Sequence, residues 1–115
     1  MIDIYATTYS ALEAIGYPVR EQGTYAPGEM LPDTHITYQL IDSPSNSHAD
    51  NLPTSTTYRV QVNVYSRDPA ITQGADGMLR AALMPVGFMR GGGRGLPFDR
   101  ETGHYGYASD YRYYG

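Results

Sequence analysis

The chain contains three histidines, His35, His48 and His104, the side chains best suited to binding a metal or moving a proton near neutral pH. None lies at metal-ligand spacing from another histidine or a carboxylate, and the chain has no cysteine. Each reads as a surface or turn histidine, so no metal site is expected. There is no G-x-S-x-G elbow, and no spacing of serine, histidine and aspartate suggests a nucleophilic triad. Asp99 and Glu101 are a close carboxylate pair, but they sit in Asp99-Arg100-Glu101-Thr102-Gly103, which reads as a turn with solvated acids. No catalytic residue and no cofactor follow from these patterns, and the chain is not expected to be an enzyme.

Two stretches have binding chemistry instead. Arg90-Gly91-Gly92-Gly93-Arg94-Gly95 has the glycines of a phosphate loop but lacks its G-K-[ST] ending, and one RGG unit is a weak nucleic-acid signal. It is read as a flexible connection between strands, with Arg90 and Arg94 free to fork onto a partner's carboxylates. Tyr105, Tyr107, Tyr111 and Tyr113 alternate along residues 104–113 and share one face of a strand. A tyrosine sheet can stack bases, but only Arg112 lies close by as a cation, so core or subunit contact is the preferred reading.

Composition points the same way. Val, Ile, Leu and Phe supply only 20 of 115 residues, while tyrosine supplies 12. Tyrosine covers apolar area while keeping a polar tip, which suits interfaces, so stability is expected to be shared between subunits. All eight basic residues are arginine, and the net charge is −4. A mildly acidic chain is a poor fit to a surface that grips nucleic acid through its phosphates. The lack of cysteine excludes disulfide and thiolate chemistry and is compatible with a reducing cytoplasm. No apolar run is long enough for a membrane helix, and the opening residues do not resemble a signal peptide.

The elements that must position these residues are legible from periodicity. Residues 3–15 form an amphipathic helix with Ile4, Thr8, Ala11, Leu12 and Ile15 on one face, capped by Asp3 and stopped by Gly16 and Pro18. Residues 17–32 are a loop with a short extended piece. Residues 34–41 are a strand with Ile36, Tyr38 and Leu40 on one face. The central strand, residues 56–66, alternates without a fault, turning Tyr58, Val60, Val62 and Val64 towards the core. Asp68 and Pro69 start a second helix bearing Ile71, Ala75, Met78, Leu79, Ala82 and Leu83, and Pro85 ends it. Residues 86–90 and 104–113 complete the sheet. The fold expected is α+β: one domain, a small and mostly antiparallel four-stranded sheet with two helices packed on one face. Residues 42–55 fit no regular element and read either as a mobile arm that orders against a neighbouring protein or as a merely flexible loop.

The order of these elements, with Tyr58-Arg59-Val60-Gln61-Val62-Asn63-Val64-Tyr65-Ser66, Ala82-Leu83, Gly87-Phe88, Glu101-Thr102-Gly103-His104-Tyr105 and Tyr111-Arg112-Tyr113, resembles the tail terminator, or tail-to-head joining, proteins of long-tailed phages. The likeness covers about half of the chain. It implies a virion structural protein of the tail or neck, made in the bacterial cytoplasm, whose subunits form a homohexameric ring. Such a ring caps the tail tube protein and joins it to the head-tail connector or stopper protein, and DNA passes through without specific binding. On that reading Arg59, Gln61, Asn63, Tyr65, Arg90, Arg94 and Arg112 meet the next subunit or line the channel. Ser43, Ser45, Asn46, His48, Asp50 and Asn51 then belong to the arm that reaches the tube or connector. The rival readings are a head-side connector adaptor and a small RNA- or ligand-binding module built on the tyrosine-rich sheet.

Overall fold

The first helix forms where the apolar spacing demands it. In a computed structural model, which describes residues 3–42 and 57–114, α1 runs Ile4–Glu13, and the Asp3 carboxylate caps it by accepting the Ala6 N–H at 3.1 Å. Ile4, Thr8, Ala11 and Leu12 are buried on one face, and Thr8 settles its hydroxyl on the Ile4 carbonyl at 2.7 Å. The chain then lays down β1, Val19–Glu21, which pairs in parallel with β2, Thr34–Asp42. β2 runs antiparallel to β3, Thr57–Ser66. The second helical region follows as α2, Pro69–Gln73, and α3, Ala75–Leu83, succeeded by a 3-10 turn at Met84–Val86. β4, Met89–Asp99, and β5, His104–Tyr114, close a sheet of order β1-β2-β3-β5-β4.

Among the described residues the architecture is therefore α+β with five strands in a mixed sheet and three α-helices, not four strands and two helices. β1 is the short extended piece expected within 17–32, not counted as a strand because three residues cannot display an alternation. It is held by its neighbour's backbone, with Ile36 N–H donating to Pro18 O at 2.8 Å and Gln22 N–H to Tyr38 O at 2.7 Å. The extra helix arises at Gly74, whose φ of −92° and ψ of 2° break the helical path. Asp68 and Pro69 start α2 as expected, the carboxylate capping the Ala70 N–H at 3.0 Å.

The 90–95 stretch is not a loose connection but the middle of β4, paired antiparallel with β5. Glycine is required there by close approach. A Cβ on Gly93 would lie 2.0 Å from the Tyr107 hydroxyl oxygen, so the bare backbone makes room for that side chain. The third strand also begins later than expected, at Met89, since Val86 belongs to the 3-10 turn. The Asp99–Gly103 turn forms as read: the Asp99 carboxylate accepts the Glu101 N–H at 2.9 Å, and Gly103 adopts a left-handed φ of 78°.

All of the helices pack on the same side of the sheet. Val60, Val62 and Val64 of β3 meet Ile36 and Tyr38 of β2, Tyr111 of β5, and Leu12, Leu79 and Leu83 from the helices in one buried cluster. Each fully buried leucine or valine contributes about 1.5–3 kcal/mol. Three tyrosines of the ladder turn to this core, Tyr111 fully buried and Tyr107 and Tyr113 packed against it. Tyr105 lies beyond it, exposed and set 4.7 Å from the Phe98 ring. Among the described residues no helix is long and apolar enough to cross a membrane.

Candidate functional site

Alternation that sends the β3 valines to the core sends Arg59, Gln61, Asn63 and Tyr65 to the opposite face. Their neighbours there are set by register: Asn63 lies across from Thr37 and Ala108, Tyr65 from His35 and Gly106, and Arg59 from Arg112. No helix covers this face, yet its two ends differ.

At one end the segment of residues 22–33 folds back over the strands. The Gln22 side-chain oxygen accepts from the Thr37 hydroxyl at 2.8 Å and from the Asn63 amide at 3.3 Å, and the same amide reaches the Thr37 oxygen at 3.2 Å. Asn63 is thereby left 5% exposed. Beside this network His35 stacks on Tyr65 with centroids 5.2 Å apart, while Tyr25 and His104 meet the His35 ring edge-on at 5.3 and 5.0 Å. Both imidazoles point a ring nitrogen at one atom, the Pro32 carbonyl oxygen: His35 Nδ1 at 3.2 Å and His104 Nε2 at 2.9 Å. A carbonyl oxygen only accepts, so both nitrogens carry the proton. Burial, opposed by the bond to Pro32 and reinforced by the nearby His104 and Arg67, holds the His35 pKa below its ordinary value. Burial likewise raises the Tyr65 hydroxyl. A cleft of about 310 Å³ opens here, walled by Tyr25, Leu31, His35, Tyr65 and Pro97, with Asp99 at its rim.

Among the described residues nothing covers the other end. Arg59 and Arg112 are both exposed and stand directly opposite each other on adjacent strands. Like charges in that position repel. Asp110 answers Arg59 at 3.1 Å, and Arg112 has no bonded partner among the described residues. Arg94, exposed and paired in register with Ala108, is likewise without one. Met89, opposite Arg112, and Ile41 are exposed alongside. Among the described residues Arg59 and Arg112 have one bonded carboxylate between them, which leaves this end cationic in a chain of net charge −4, and Arg94 adds a guanidinium on the same face, level with Asn63.

Of the residues singled out from sequence, Arg59, Gln61, Asn63, Tyr65, Arg94 and Arg112 fall on this one face. Gln61 is half-buried and donates towards Asn63 at 3.4 Å. Arg90 does not join them. Its Nε donates to Asp76 of α3 at 2.7 Å and its Nη2 to the Tyr107 hydroxyl at 3.4 Å, on the helix side. The Arg90 bond, helped by Tyr107 and Arg80 against the penalty of burial, holds the Asp76 carboxyl below the usual range. The arm at 42–55, with Ser43, Ser45, Asn46, His48, Asp50 and Asn51, lies outside the described residues apart from the backbone of Asp42. Sequence reasoning missed the cluster of Gln22, Tyr25, Pro32, His35 and His104. A usable signal was present: with Ile36 and Tyr38 assigned to the core, period-two alternation already sends His35 and Thr37 to the opposite face.

Among the described residues no three histidine, aspartate or glutamate side chains converge as a metal site. At the covered end most polar atoms are engaged with one another, but His104 Nδ1 and the Tyr25 hydroxyl are buried without a partner. The cationic end presents forked donors suited to carboxylates. No protein-family model matches the chain, and no curated protein matches it.

Proposed function

We propose that the protein is a virion structural subunit, a tail terminator that assembles into a hexameric ring on the end of the tail tube and links it to the head connector. The observation that carries this reading is the cationic end of the sheet, where, among the described residues, Arg59 and Arg112 stand opposite each other with one bonded carboxylate, Asp110, between them, beside exposed Met89 and Ile41. Cross-strand arginines facing water alone gain nothing from their proximity. A neighbouring subunit that offers carboxylates and apolar area gives them a use. The order of elements seen in the phage tail terminators, with an aromatic-Arg-aromatic final strand, supports the same assignment. An acidic, lysine-free ring also suits a channel that passes DNA without holding it.

The tyrosine ladder argues against the nucleic-acid module, because Tyr107, Tyr111 and Tyr113 are engaged with the core and are not free to stack bases. Sedimentation of the purified protein, alone, with single-stranded oligonucleotide and with tail tubes, tests the proposal. Assembly by itself or on tubes, indifferent to oligonucleotide, is the expected outcome. A monomer that ignores tubes and binds oligonucleotide overturns it.

A further inference from the structure

We infer that His35, sharing the Pro32 carbonyl with His104, is the acid-sensitive half of a latch that holds residues 22–33 over the sheet and releases them when His35 is protonated. Two rings from β2 and β5, each less than 5% exposed, donate to the same Pro32 carbonyl oxygen. That oxygen belongs to the covering segment, so the latch joins the cover directly to two strands of the sheet. Tyr25, from the same segment, adds its ring edge against His35.

Each histidine has one nitrogen committed to Pro32 and one left over. For His104 the remaining nitrogen, Nδ1, is buried with no hydrogen-bond partner. The His104 ring thus has no second bond to hold it in place if the one to Pro32 is lost. Protonating His35 places a buried second cation near Arg67, which is already engaged with Asp33 and the Thr102 carbonyl. The other groups facing the pair are the phenols of Tyr25 and Tyr65, which stay neutral through the acid range, and the Asp99 carboxylate at the cleft rim. Asp99 spends one oxygen on the Glu101 and Thr102 N–H groups of its turn.

Acid is therefore relieved by bringing the His35 ring into water, and the movement that does so lifts residues 22–33 away. Gln22 departs with them, which frees Thr37 and Asn63. The polar face then extends from the cationic end along the whole of β3. The latch does not depend on the ring reading, since every group in it comes from one chain.

The test is amide hydrogen exchange of the intact protein at about pH 7.5 and about pH 5, corrected for intrinsic rates, with the imidazole resonances followed by NMR over the same range. The expected result is a rise of about tenfold or more in the opening of residues 22–33 at the acid end, with α1 and α3 unmoved. The same midpoint should appear in the His35 imidazole and in the Tyr25 ring signals. His35→Gln, which keeps an amide donor for Pro32 but cannot be protonated, should reduce the acid response. Opening that is equal at both pH values in the natural protein overturns the latch, as does a His35 titration that leaves the Tyr25 signals still. The natural protein alone decides the matter if the variant fails to fold.

Discussion

The two ends of one sheet face, a few residues apart along β3, solve the same problem in opposite ways. Asn63 carries a polar group that would be costly to bury alone, and the chain satisfies it itself through Gln22 and Thr37, while Tyr65 beside it stacks its ring on His35. Arg59, on the same face two turns of the alternation earlier, has a single surface carboxylate, and its cross-strand neighbour Arg112 has none among the described residues. The difference is one of coverage. Residues 22–33 reach one end only, and among the described residues nothing in the chain covers the other. A polar strand face is thus not one kind of surface, and alternation alone does not say which part of it is available.

The largest effect should come from the covered end. His35→Ala removes a ring that touches Tyr25, Tyr65 and His104 and leaves a cavity, at a cost of about 2–4 kcal/mol in denaturant unfolding. Equal stability of the variant would mean that the cover contributes nothing. Asn63→Ala strands partners on Gln22 and Thr37 and should cost about 1–3 kcal/mol by the same measurement. The pH dependence is smaller and its sign is fixed. His35 is held neutral in the folded protein below its ordinary value of 6.5. The unfolded chain therefore binds the extra proton first as pH falls, so this contribution to stability is complete above about pH 6.5 and is lost between there and the lower folded value. Unfolding curves at intervals between neutral and acid pH should show that decline, and His35→Gln should flatten it. Arg59→Ala should matter least to the isolated fold, about 1 kcal/mol or less, because an exposed pair with Asp110 is screened by water. If instead Arg59→Ala matches Asn63→Ala in unfolding, the contrast between the two ends disappears.

What could be read from the sequence follows the length of each pattern. The β3 alternation spans enough residues to fix its faces, and the Asp3 and Asp68 caps place the helix starts to within a residue. β1 offered three residues and no period. Gly91 to Gly95 offered one side chain, Arg94, and so no alternation to read, and a strand whose Gly93 makes room for Tyr107 looked like a tether. Arg90 was grouped with Arg94 for its place in that stretch, yet the register shift between Arg90 and Gly92 accompanies its turn to Asp76 on the helix side. The histidine cluster was out of reach for another reason. His35 and His104 are far apart in the chain and meet only because β2 and β5 both flank β3, which no local pattern encodes.

Electron cryomicroscopy of tail tubes incubated with the purified protein tests the central claim most directly. The account predicts a closed six-membered ring on the tube end, with Arg59 and Arg112 of every copy against a neighbouring chain or the lumen. Bare tube ends beside a solitary protomer, with both arginines in bulk water, would contradict it.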